Sequence, residues 1–260
     1  MAQSRTRSIG HAQAVADSVY HADTGTRLAF LRKVYTLFSA AMVVWMGTTL
    51  LVTFNETLLE KALGLMGGGF LGFILLMGVM FLLLRLTATA GTGISLLGLG
   101  LFGVLEGFLT APLVYIGLAR GNEEAMLALS QGAIDTSTLT LGTGVVTQAF
   151  VLTCAVFGGL TVYALTTKRD FLWMRGALWM GFFALMAIVV LSFFGIGENL
   201  VSGWGFSAAF VLLMGGFVLY DTQNIMKRYP EHMAAAAAAT LLIDFIIMFK
   251  HILMLLMNRD

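Results

Sequence analysis

The chain has 260 residues, of which 58% are hydrophobic and only 11% charged, and its net charge is +1. Ordinary soluble domains are about 25% charged, so composition excludes a water-solvated globule and makes lipid the solvent. The near-zero net charge gives no sign of a nucleic-acid binder, and a single cysteine, Cys154, excludes an internal disulfide or a cysteine-based metal site.

Residues 1–26 are polar and carry scattered charges. They lack an apolar h-region, so no cleavable signal peptide is expected. They read as a mobile cytoplasmic tail or a short surface helix, ahead of one membrane domain over 27–260.

A helix needs about 20 apolar residues to cross roughly 30 Å of hydrocarbon. Seven stretches qualify: 34–54, 64–84, 91–118, 140–166, 172–193, 203–226 and 235–257. The predicted architecture is therefore an all-α, polytopic, seven-transmembrane helix bundle. The first gap holds Asn55, Glu56, Glu60 and Lys61. The second is the weakest boundary, with Arg85 and the run TATAGTG as its only break. The third span carries Glu106 in GVLEGFLTAP. After it, Gly121-Asn122-Glu123-Glu124 opens an external loop whose carboxylates, Asp135 included, read as a solvated surface. The fourth span contains Cys154, a small side chain on a packed helix. Lys168-Arg169-Asp170 separates the fourth and fifth spans, and Gly197-Glu198-Asn199 the fifth and sixth. The sixth span carries Asp221. The seventh opens on six alanines and contains Asp244, Lys250 and His251, so it needs shelter from the other helices. Lysine there can snorkel to the interface, and a lone histidine reads as structural. The 30 glycines serve close helix approach, and GLMGGGFLGF and GLGLFGVLEG read as packing faces. They are not phosphate loops, since no strand precedes them and no Lys-Ser/Thr follows.

Basic residues set the orientation. One side receives Arg5, Arg7, Arg27, Arg32, Lys33, Arg85, Lys168, Arg169, Arg175, Lys227 and Arg228. The other receives Lys61 and Arg120, plus Arg259 if the last segment crosses. This asymmetry predicts a cytoplasmic N-terminus. A fully crossing seventh segment puts the C-terminus outside, and a re-entrant one keeps it inside.

Ionisable side chains in a span are costly and are functional candidates by default. Asp221 precedes Lys227 by six residues, about 9 Å above the cytoplasmic end at 1.5 Å per residue. Asp244 is eleven residues beyond Met233, about 16 Å along the antiparallel neighbour. Both fall in the cytoplasmic half, on the side where Arg85 ends the second span, and a guanidinium is a natural partner for such carboxylates. Two carboxyls in low dielectric disfavour double ionisation and titrate as a unit. Such a pair can share a proton, meet a cation or grip Arg85. Carboxylate oxygens suit Ca²⁺, although two fall short of the six to eight of a tight site; Asp221 and Asp244 are thus candidates for transient Ca²⁺ contact. Simple hydrogen bonding to backbone or to Tyr220 is the structural alternative. Glu106, about 22 Å along the third span, is a candidate for the outer mouth of a cation path, with local Thr contacts or an interfacial position as its alternative.

Four segments together resemble the transmembrane Bax-inhibitor-1 motif family in a bacterial form: FLRKVYTLFSA, TQAFVLTCAVFGGLTVYALTTKRDF, GGFVLYDTQNI and LIDFIIMFKHIL. The similarity covers roughly residues 27–258. It implies six helices around a central seventh and a pH-sensitive calcium leak. In the family, an aspartate pair in the last two helices senses pH and an arginine ending the second helix latches onto one of them. Asp221 and Asp244 match the pair by motif, and Arg85 matches the latch by position only. The family's further acidic residue in the second helix has no counterpart in FLGFILLMGVMF. Some bacterial relatives associate with a membrane-bound ATP-dependent protease, which makes such a protease a candidate partner.

Three function classes remain. The leading one is a pH-gated Ca²⁺ leak channel in the bacterial inner membrane, with no tightly bound cofactor and with lipid, protons and Ca²⁺ as partners. The alternative is a non-transporting regulator of a membrane protease or stress response. An intramembrane aspartyl protease needs Gly-x-Gly-Asp at the second aspartate, where this chain has Leu242-Ile243-Asp244-Phe245; a rhomboid-like Gly-x-Ser-Gly is missing as well. No enzymatic activity is expected.

Overall fold

The computed structural model describes residues 24–89, 92–141 and 144–258. The tail expected over 1–26 lies outside the described residues up to residue 23, as do Arg5, Arg7 and Arg259. Seven long helices follow: α1 (Thr24–Thr53), α2 (Gly69–Thr89), α3 (Thr92–Ala119), α4 (Val145–Thr166), α5 (Arg175–Ser192), α6 (Trp204–Arg228) and α7 (Ala234–Met257). Each is long and apolar enough to cross a membrane. With no water in the bilayer core, a helix is the natural form for such segments because it satisfies every backbone group internally.

Two boundaries differ from those expected. The first helix begins at Thr24, not at 34, because Arg27, Arg32 and Lys33 continue the helix before its apolar part starts. The second expected span, 64–84, is split. Glu56–Met66 forms a separate surface helix, whose N-cap Asn55 accepts a hydrogen bond from the Leu58 N–H (3.0 Å). Only then does α2 start, after Gly67-Gly68-Gly69. Gly69 has φ +60°, a backbone conformation that side chains with a Cβ rarely adopt. The chain turns at this glycine run instead of continuing straight into the membrane.

The last helix is central. Of its most apolar stretch 61% is buried inside the protein, against 6% for α2 and for the fifth span. It packs against α1, α2, α3, α4 and α6, and α5 joins the bundle mainly through α6. The alanine run 234–239 is buried throughout, which lets neighbouring backbones approach closely. Higher up, Phe245 meets Phe38, Trp45, Phe150 and Phe157 at ring-centroid distances of 6.3, 6.0, 6.0 and 5.4 Å. These edge-on aromatic contacts tie α7 to α1 and α4. At 24 residues α7 is about 36 Å long, enough to cross completely.

Helices α1 and α3 pass closest at Gly107, where an added Cβ would lie 2.6 Å from the Trp45 carbonyl oxygen. The Trp45 indole N–H donates to Thr110 Oγ1 (3.2 Å), and Thr110 donates to the Glu106 carbonyl (2.6 Å). On the loop side, Asn122 caps the helix Glu123–Ser130, which packs with Tyr115, Leu59 and Leu139. Asp135 accepts from Ser137 Oγ and N–H, and these bonds hold its carboxyl below the usual range. Asp135 thus orders its loop.

Candidate functional site: carboxylates inside the bundle

Asp221 and Asp244 lie on α6 and α7, consecutive antiparallel helices that pack along their length. Both are buried, at 8% and 4% exposure. Asp221 lies seven residues before Arg228, about 10 Å from the end of α6; Asp244 lies ten residues into α7, about 15 Å from its start. Asp244 is within range of the Asp221 charge. Asp244 Oδ2 is buried without a hydrogen-bond partner. An unpaired acceptor in such a place is costly unless it takes up a proton or meets a cation or water. The turn joining the helices is closed by Tyr229 and Thr240, whose hydroxyls lie 3.3 Å apart; burial holds the Tyr229 phenol above its usual range, and the bond to Thr240 opposes this.

Arg85 stands four residues before the end of α2 with an exposed side chain. Two ion pairs occur among the described residues, Lys227–Asp170 and Lys250–Glu106, and neither joins Arg85 to Asp221 or Asp244. Glu106 is buried in α3, and its Oε2 accepts from Lys250 Nζ at 2.8 Å, with side-chain exposures of 10% and 23%. Lys250 therefore reaches across to a carboxylate rather than snorkelling to the interface. Its neighbour His251 stacks flat on Phe210, with centroids 4.1 Å apart and planes 3° apart, and its Nδ1 is buried without a partner. No group of three or more His, Cys, Asp or Glu side chains is gathered to hold a metal among the described residues. Any Ca²⁺ contact at the aspartates falls far short of a full oxygen shell.

One positioning residue carried no chemical reading in the sequence. Gln223, 2% exposed, is two positions past Asp221. Its Oε1 accepts from the Phe171 N–H (2.8 Å) and its Nε2 donates to the Arg169 carbonyl (2.7 Å). One turn further, Lys227 Nζ lies 3.0 Å from Asp170 Oδ1. The Lys227 hydrogen bond, helped by the Leu172 N–H, holds the Asp170 carboxyl below the usual range. The α4–α5 loop is thus fastened to one side of α6, two residues from Asp221. The available signal was the co-occurrence of TTKRDF and LYDTQN, which the structure joins through these bonds.

The comparisons agree with this architecture. The family described as "Inhibitor of apoptosis-promoting Bax1" matches residues 27–260. The chain is 28% identical over 235 residues to Bax inhibitor 1 of Schizosaccharomyces pombe, covering 88% of this chain and 76% of that one. It is 38% identical over 108 residues to mouse protein lifeguard 4, covering 42% and 44% of the two chains. It is 39% identical over 114 residues to the Golgi anti-apoptotic protein of Vaccinia virus (strain Lister), covering 43% and 46%. The chain thus spans about half the length of the last two relatives. A family match over nearly the whole chain, on a bundle of seven apolar helices, makes this multi-pass membrane protein a member of the Bax inhibitor-1 family.

Proposed function

We propose that the chain is a pH-sensitive Ca²⁺ leak pathway in which Asp221 and Asp244 share the controlling proton. The observation that carries this reading is the buried, unpartnered Asp244 Oδ2 beside Asp221 on the antiparallel helix. Like charges in a low dielectric resist double ionisation, so proton uptake and cation entry compete for one pair. Arg85 acts as a latch in a conformer that brings the α2 end to the pair, and Glu106 enters the cation path only after its bond to Lys250 opens. The protein sits in the bacterial inner membrane with its N-terminus in the cytoplasm and does no catalysis; a non-transporting regulator that binds a membrane-bound protease is the alternative reading.

The test is Ca²⁺ flux into liposomes between pH 5 and 8. Wild type is expected to show a pH-dependent flux that Asp221→Asn and Asp244→Asn abolish. Unchanged pH dependence in both variants refutes the shared-proton mechanism. Flux equal to empty liposomes at every pH, with a protease co-purifying, replaces the channel reading by the regulator reading.

A further inference from the structure

The Lys250–Glu106 pair, closed in this structure, forms the polar floor of a cavity. The cavity, about 550 Å³, opens between α2, α3, the surface helix Glu56–Met66 and α7. Its walls include Phe73, Leu76, Met77, Leu109 and Phe193. The Phe73 and Phe193 rings meet at 5.4 Å, joining the start of α2 to the end of α5 beside the opening. The volume falls within the ~300–1,000 Å³ of small-molecule sites. Helix α2, which forms one wall, is the least covered of the spans together with the fifth. A bilayer around the bundle would therefore meet the cavity at this wall.

The floor sets the chemistry. An ammonium has three donors, and among the described residues Lys250 makes one hydrogen bond, to Glu106. Two donors remain on the more exposed member of the pair. In hydrocarbon such donors require an acceptor, and apolar walls do not hold water well. Lys250 is seven residues before Met257, about 10 Å from that end of α7. A phospholipid headgroup would have to leave the interface to reach it, whereas a single acyl chain ending in a carboxyl group can lie along the walls and put its acceptor oxygens on the ammonium.

We propose that this cavity is a lateral binding site for a long-chain fatty acid from the bilayer, its carboxyl group on Lys250 and its chain between α2 and α3. The methionines suit such a ligand, because flexible thioethers adapt to chains of differing shape. The site shares Glu106 with the proposed cation path but none of the Asp221–Asp244 pair, and binding is measured apart from Ca²⁺ flux, so either reading can fail without the other.

The experiment measures saturable binding of labelled palmitate to the purified full-length chain in nanodiscs, with unlabelled palmitate and hexadecanol as competitors. Palmitate is expected to compete at least about tenfold better than hexadecanol. Lys250→Arg is expected to keep this preference. The neutral double variant Glu106→Gln/Lys250→Met is expected to lose it. Met77→Trp, whose wild-type side chain is 46% exposed and lines the cavity, is expected to block palmitate and hexadecanol alike; this arm decides the matter if the double variant does not fold. Equal competition by the alcohol, retained preference in the folded double variant, or undiminished binding to Met77→Trp overturns the proposal.

Discussion

Three glycines on α3 offer a graded test of the α1–α3 contact that carries Glu106. A Cβ at Gly100 would meet nothing within 4 Å. One at Gly103 would lie 3.3 Å from the Ala41 carbonyl oxygen, and one at Gly107 2.6 Å from the Trp45 carbonyl oxygen and 2.8 Å from Thr48 Cβ. Alanine at the open position removes the helix penalty of glycine and stabilises by about 0.4–1 kcal/mol. At Gly103 a few tenths of an ångström must be given up, and gain and clash roughly cancel. At Gly107 the obstacle is backbone, which cannot swing aside. Overpacking of this kind costs about 1–3 kcal/mol, and the helix gain is common to both positions, so Gly107→Ala is expected to lie roughly 1–3 kcal/mol below Gly100→Ala. The Trp45–Thr110 hydrogen bond spans the same crossing and weakens with it. Unfolding in bicelles by steric trapping gives the ranking directly. If Gly107→Ala proves as stable as Gly100→Ala, the close approach of α1 and α3 at Trp45 is refuted.

The loop fastened to α6 yields two more predictions. Gln223→Leu removes two hydrogen bonds to the α4–α5 backbone and leaves the Phe171 N–H and Arg169 carbonyl without them, so a loss of about 2–3 kcal/mol is expected, together with faster amide exchange over 168–171; unchanged exchange there contradicts the clamp. Asp170 separates loop chemistry from pore chemistry. Its folded-state pKa is depressed, chiefly by Lys227, so its contribution is complete above the unfolded value near 3.9 and disappears only as pH falls through the lower folded value. It is therefore constant between about pH 5 and 8. Asp170→Asn is expected to cost under about 1 kcal/mol, as an exposed pair does, and to leave the midpoint of any pH-dependent Ca²⁺ flux in place; a shifted midpoint means that the loop, rather than the aspartate pair, carries the titration.

Composition and apolar run length determined much by themselves. Lipid as solvent, seven helices and the cost of Asp221 and Asp244 in the membrane all follow from one residue after another along the chain, because a bilayer imposes length and hydropathy locally. The family likeness was legible for a related reason, since its motifs are contiguous strings. Tertiary structure decided what depends on helix rotation and on partners far apart in sequence. Glu106 and Lys250 are 144 positions apart, and either alone reads as a lone charge seeking an interface. Gln223 reads as one more polar residue near a helix end until the loop 54 positions earlier is laid against it. The break at Gly67–Gly69 was hidden because a hydropathy window averages over a turn that one positive φ creates. The aspartate pair sits between the two cases: its depth could be counted from sequence, but that Asp244 is left with an unpartnered oxygen follows only from how five neighbouring helices pack around α7.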